Sequence, residues 1–147
     1  MEVINLFIKM LRNRYVLAGV PAIIINSKKE ILLGKRHKNL LYYPSIWGLP
    51  GGVIDYNESA ENAVKRELKE ELGITVKIIK TGKPSMIFPS KEYPLQVLEI
   101  PFYCKIIKNK PKAKDETSEI KWFKPKEIKN IKLAYSHKRI LKQEGLI

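Results

Sequence analysis

A single cysteine, Cys104, in 147 residues excludes an internal disulfide framework and any zinc site built from several thiolates. Its neighbours Ile100–Tyr103 read as strand, so a buried, unreactive thiol is expected. Long apolar runs are also missing. The most apolar stretch, Val16–Ile25, is interrupted by Gly19 and Pro21. It falls well short of the roughly 20 residues a membrane helix requires, and reads as a core strand. Met1–Met10 carries Glu2 and Asn5 early and no small-residue cleavage site behind a long apolar run, so no leader is expected. No membrane partner and a cytoplasmic location are the matching expectations. Repeats, low-complexity tracts and Gly/Ser linkers are absent, which predicts one domain over residues 1-147. Acidic residues are scarce, 15 against 28 Lys and Arg, for a net charge of +13. That balance suits a phosphate-rich partner, nucleotide or nucleic acid. It equally suits a lysine-rich bias or a hot habitat, so charge alone does not choose.

What is present is enough for a core: 44% of the residues are hydrophobic. Met1–Asn13 mixes apolar and basic positions and fits a short helix or a strand. Tyr15–Ile25 and Ile31–Arg36 read as strands joined by a turn at Asn26–Lys29, a hairpin pattern. Lys38–Gly52 reads as a loop rich in Pro and Gly. A helix is predicted over Glu58–Leu72, with Asn57 as N-cap and Gly73 as the stop. Strands are expected near Ile74–Ile79, Pro94–Glu99, Phe102–Ile107 and Ile120–Phe123. A helical turn at Pro125–Ile128 and a last helix at Ser136–Gln143 complete a mixed α/β pattern.

On a wheel of about 100° per residue, Glu71 and Glu70 fall about 40° and about −60° from Glu67. Val64, Leu68 and Leu72 form an apolar stripe beside them, and Asn62, Lys65 and Lys69 lie opposite. Three carboxylates at this spacing repel one another by a few tenths of a kcal/mol per pair, and the stripe itself holds no Lys or Arg. Such oxygen donors suit Mg²⁺ or Mn²⁺, although a solvated face paired to flanking lysines would look the same. Upstream, Leu49-Pro50-Gly51-Gly52 sets a rigid turn followed by two residues free to adopt positive φ.

Taken together, Gly52, Glu58, Arg66, Glu67, Leu68, Glu70, Glu71, Gly73 and Ile74 resemble the Nudix box at every defined position. That box runs Gly, five residues, Glu, seven residues, Arg-Glu, apolar, any, Glu-Glu, any, Gly, apolar. The lead-in Trp47–Gly52, the strand Ile31–Arg36 and the later Glu119–Phe123 are similar to the family as well, so the resemblance covers residues 16–140. It implies the Nudix α/β/α sandwich, with a mixed β-sheet and Glu58–Leu72 as the central catalytic helix.

The resemblance also implies the chemistry: metal-dependent hydrolysis of a nucleoside diphosphate linked to another group. Glu67, Glu71 and, directly or through water, Glu70 would hold Mg²⁺, with Mn²⁺ as the alternative, and the Gly51 carbonyl would complete the protein ligands. Glu58 and Arg66, with Gly52 and Gly73, would be structural, Arg66 orienting a box carboxylate. Glu67 or Glu70 would position or deprotonate the attacking water, a role that some members give to a glutamate outside the box. Glu116 and Glu119 are the candidates for that residue, Glu116 preferred.

Arg36, Tyr42, Tyr43 and Trp47 are candidates for phosphate or base contacts, with core packing the favoured role for Trp47 in this family. His37 and His137 lack ligand spacing, which points to surface or core roles. Pro89 lies where ADP-ribose pyrophosphatases of the family often carry a proline, favouring ADP-ribose or a nucleotide sugar. Competing readings are an ordinary or 8-oxo nucleoside triphosphate, an RNA 5′ end, and a non-catalytic sugar-nucleotide-binding domain. The run Lys108, Lys110, Lys112, Lys114 has no interleaved aromatic, against the RNA reading. The intact box carboxylates oppose the non-catalytic one. A homodimer is compatible with the family.

Overall fold

The computed structural model describes residues 2–12 and 14–147. Helix α1 spans Glu2–Leu11, within the segment whose sequence left helix or strand open; Met1 and Asn13 lie outside the described residues. The strands are β1 (Val16–Ile23), β2 (Ile31–Arg36), β3 (Trp47–Gly48), β4 (Gly51–Val53), β5 (Thr75–Thr81), β6 (Ser85–Ile87), β7 (Gln96–Glu99), β8 (Phe102–Lys108) and β9 (Thr117–Phe123). The remaining helices are α2 (Ala60–Leu72), α3 (Pro125–Ile128) and α4 (His137–Gln143).

Strand β1 organises the larger sheet, whose order is β5-β8-β1-β7-β6 with β4 also on β1. It runs parallel to β7 and β8 and antiparallel to β4, so the sheet is mixed. Alternation along β1 buries both of its faces. Val20, Ala22 and Ile24 pack with Ala63, Val64, Leu68 and Leu72 of α2. Ile23 points the other way, into a core with Leu33, Leu49, Phe123, Ile128, Ile140 and Leu141. A continuous apolar run in sequence therefore marks a strand covered on two sides, and the molecule is an α/β sandwich. A smaller cluster of Ile87, Tyr93, Leu95 and Val97 also takes in Ile8 of α1.

Two expectations need correction. The β1–β2 hairpin closes only at its base: Asn26 Oδ1 accepts from the amides of Lys28 and Glu30, and a single bridge joins Ile25 to Ile31. Beyond it the strands part, because β1 is engaged by β4, β7 and β8 while β2 pairs with β3 and β9 in a second, three-stranded sheet. The central helix begins at Ala60, not Glu58. Asn57 has φ 60°, a left-handed residue that cannot be the N-cap, and the cap is Ser59, whose Oγ accepts from the Asn62 amide at 3.1 Å. Gly73, at φ 67°, ends the helix as expected, its N–H returning to the last turn's carbonyls.

Cys104 is buried in the α2-facing core, and desolvation pushes its thiol up to about 12 against a small opposing pull from Lys65. Since the thiolate is the nucleophile, the native protein is expected to leave a disulfide reagent such as DTNB unreacted near neutral pH. Denaturation in guanidinium should then release one equivalent; rapid reaction in the native state would contradict this burial.

Candidate active site

The α2 stripe, the Leu49–Val53 turn and the segment before β9 converge on a cavity of about 500 Å³. Its lining includes Gly51, Gly52, Glu67, Glu70, Glu71 and Glu116, together with Arg36. The helix brings its three acids there because Leu68 and Leu72 are drawn into the core on the adjoining face. Glu119, the other candidate outside the box, instead pairs with Lys35 on the exposed side of β9, 3.5 Å away.

Arg66 organises the acids. Its Nε and Nη2 donate to the two oxygens of Glu58 at 2.8 and 3.0 Å, and Nη2 also donates to the Val53 carbonyl. Nη1 donates to Glu67 at 2.9 Å and to Glu70 at 3.2 Å. The wheel placed no cation within the acidic stripe; the structure shows that one beside it reaches in and offsets part of the repulsion. Glu58 is kept out of the helix by the same contacts, accepting from the Asp55 amide as well. The Arg66 hydrogen bonds, then the Asp55 amide, hold its carboxyl below the usual range.

Burial dominates at Glu67 and Glu71. Desolvation lifts the Glu71 carboxyl to about 8; its hydrogen bond from the Gly51 N–H (3.0 Å) opposes the shift, and the charges of Glu67 and Glu116 add to it. Glu67 is raised first by burial, with Arg66 opposing and Glu70 and Asp55 adding. Gly52 makes room for it: a Cβ there would lie 2.3 Å from the Glu67 Cδ. Hard oxygen donors that repel one another in a partly dehydrated cleft fit a divalent cation of the Mg²⁺ type. Among the described residues, no three His, Cys, Asp or Glu side chains are gathered closely enough to hold an ion as they stand. Glu71 Oε2 accepts from the Gly51 N–H and Glu67 Oε1 from Arg66, which leaves the second oxygen of each carboxylate to turn toward an ion.

Of the aromatic candidates, Trp47 takes the core role favoured for it, and Tyr42 departs from the expected base contact. Trp47 packs edge-on to Phe123 in the α4-side core, ring centroids 4.9 Å apart, and Tyr42 packs edge-on to Tyr93. Neither lines the cavity, whose aromatic wall is Tyr93 and Tyr135 with Ile87 and Val97. Tyr93 and Tyr135 are far apart in sequence, and no spacing signal links them to the box. Arg36 does reach the cavity: Nε donates to the Tyr42 carbonyl at 3.0 Å, and the guanidinium lies over the Tyr135 ring, 5.1 Å from its centroid. His137, expected in a core or surface role, is buried at the cavity wall beside Glu99 and Ser136.

Residues 16–143 match the NUDIX domain model, and the chain belongs to the Nudix hydrolase family. Within that family it is a pyrophosphohydrolase. It is 34% identical over 120 residues to an ADP-ribose pyrophosphatase of Methanocaldococcus jannaschii, covering 81% of this chain and 68% of that enzyme. It is 28% identical over 134 residues to the nucleoside triphosphatase NudI of Klebsiella pneumoniae, covering 84% of this chain and 94% of the relative. The crystal structure of a MutT protein from Methanosarcina mazei Go1 superposes with a TM-score of 0.76 at 27% identity, covering 91% of this chain and 94% of that one. Curated relatives named as an mRNA hydrolase and as RNA pyrophosphohydrolases match over shorter stretches, and the chain spans 22% to 36% of their length.

Proposed function

We propose that this protein hydrolyses the pyrophosphate bond of a nucleoside diphosphate linked to a sugar, ADP-ribose foremost, with Mg²⁺ (or Mn²⁺) held by Glu67, Glu71 and Glu70. One observation carries the reading: a single cavity contains both the box carboxylates and an aromatic wall suited to a base or sugar. The M. jannaschii relative favours ADP-ribose over other members of this substrate class. When bound, the cation would neutralise pyrophosphate oxygens and activate water. The protein's own share is positional. Arg66 holds Glu67 and Glu70 in one orientation, and Glu116, which lines the same cavity as Glu71, would take a proton from the attacking water. Arg36 offers a fixed positive charge to a phosphate, and Tyr135 and Tyr93 supply aromatic lining on the same side of the cavity.

A nucleoside triphosphate is the second reading, favoured by the NudI relative, which this chain spans for nearly its full length. The lysine run after β8 gives the RNA reading less support. The Lys112 and Lys114 amides are tied to the Leu72 and Glu71 carbonyls, leaving a short exposed loop without aromatics. Competition assays with ADP-ribose, UDP-sugars, nucleoside triphosphates and 5′-triphosphate RNA separate the readings. The highest kcat/KM is expected on ADP-ribose. A preference for a triphosphate, with pyrophosphate released, would establish the second reading in its place.

A further inference from the structure

We propose that His137, Glu99 and Ser136 form a positioning strut that holds the Leu49–Gly51 turn against Glu71 and so sets the affinity of the site for a divalent cation; this rests on the cation reading above. The three residues are 6%, 4% and 7% exposed. His137 Nδ1 accepts from the Leu49 amide at 2.9 Å, so that nitrogen carries the lone pair. The ring proton therefore sits on Nε2, which donates to Glu99 Oε1 at 3.1 Å. Ser136 donates its hydroxyl to Glu99 Oε2. Both carboxylate oxygens are thus engaged, and Glu99 acts through His137 rather than on a substrate.

The strut meets the turn where the turn meets the metal-binding acids. Its successive residues are each gripped: the Leu49 N–H by His137, the Pro50 carbonyl by the Ala22 amide at 2.7 Å, and the Gly51 N–H by Glu71 at 3.0 Å. Only the first grip comes from a side chain outside the box. Room for it is made at Gly48, where a Cβ would stand 2.9 Å from His137 Nδ1. A buried carboxylate and imidazole are costly to desolvate, and well-packed apolar side chains of similar volume commonly replace such groups without loss of stability. Orientation of ligands by outlying hydrogen bonds is the function that an apolar filler cannot supply.

This contrast provides the test. Mn²⁺ alone is the probe, its free concentration read by electron paramagnetic resonance without substrate, on the unsubstituted chain, His137→Phe, His137→Asn, Glu99→Gln and Glu71→Gln. Phe fills the space but cannot accept from Leu49; Asn is smaller but places an oxygen near the Nδ1 position. A strut predicts that His137→Phe weakens Mn²⁺ binding by about 10–100-fold, and lowers kcat with little change in KM. His137→Asn should recover most of both, and Glu99→Gln should fall between. A packing role predicts the reverse order, with Phe near normal and Asn impaired, and that order overturns the proposal. If His137→Phe does not fold, Mn²⁺ affinity in folded His137→Asn as weak as in Glu71→Gln overturns it equally. No Mn²⁺ binding by the unsubstituted chain overturns the cation reading and the strut together, whereas normal binding in every His137 and Glu99 variant removes the strut alone.

Discussion

Replacing Glu71 by Gln is expected to lower turnover on the order of 10²–10³-fold, more than the roughly 10–100-fold typical of residues that only support a ligand, while the fold survives. On the proposed reading the carboxylate is a cation ligand, and the neutral amide is a weaker donor to one. Its effect on stability has the opposite sign. The folded-state pKa of Glu71 is lifted to about 8, above the ordinary value of 4.5 that the unfolded chain retains. A raised carboxyl binds more protons in the folded state, so its contribution is fully present below about 4.5 and is lost as pH rises through about 8. Without divalent cation, Glu71→Gln should therefore melt no lower than the parent at pH 6 and above it at pH 8.5. Lost activity together with equal or greater stability is the signature of a site residue. Equal activity would remove Glu71 from the site, and a lower melting temperature at both pH values would recast it as structural.

The adjacent glycines Gly51 and Gly52 are expected to fail differently. At Gly52 an added Cβ meets the Glu67 carboxylate, 2.3 Å from Cδ and Oε1. That group ends a rotatable side chain, so Gly52→Ala should be accommodated by displacing it. The expected result is a near-normal melting temperature and a kcat lowered by about 10²-fold, since small misplacements of a reacting constellation cost that much. Gly51 has φ 136°, and its added Cβ would meet the Val20 carbonyl oxygen at 2.2 Å. Backbone cannot swing aside, and the strain of a side chain at that φ compounds the clash. Gly51→Ala should lose the β1–β4 pairing and much of its stability, read as a large drop in denaturation midpoint. Parallel behaviour of the two variants would contradict this division.

Glu67, Glu70 and Glu71 were legible as a group in sequence because they lie on one helix, where the 3.6-residue period converts spacing into a shared face. Gly73 was equally legible as a left-handed stop. Asn57 misled because the residue types favoured at an N-cap are also those that tolerate positive φ; choosing Ser59 required knowing that Glu58 is pulled back onto Arg66. Arg66 itself falls outside the acidic stripe on a wheel of Cα directions, about 40° beyond Glu70. The wheel does not show how far a guanidinium reaches. Tyr93, Glu99, Tyr135 and His137 were not legible as site residues. They come from the β6–β7 loop, the end of β7 and the approach to α4, and only the sheet order brings them to one wall. Trp47 and Tyr42 lay close to the box in sequence yet turned away from the cavity, since the apolar cores claim their rings.

The most direct test of the central claim is release of AMP from ADP-ribose by the purified protein, measured with Mg²⁺, with Mn²⁺ and with excess EDTA, beside Glu71→Gln. The account predicts AMP and ribose 5-phosphate in equal amounts, turnover restored by either cation after EDTA treatment, and almost none from the variant. Undiminished hydrolysis in EDTA, or equal rates from the two proteins, would contradict a cation held by the α2 carboxylates.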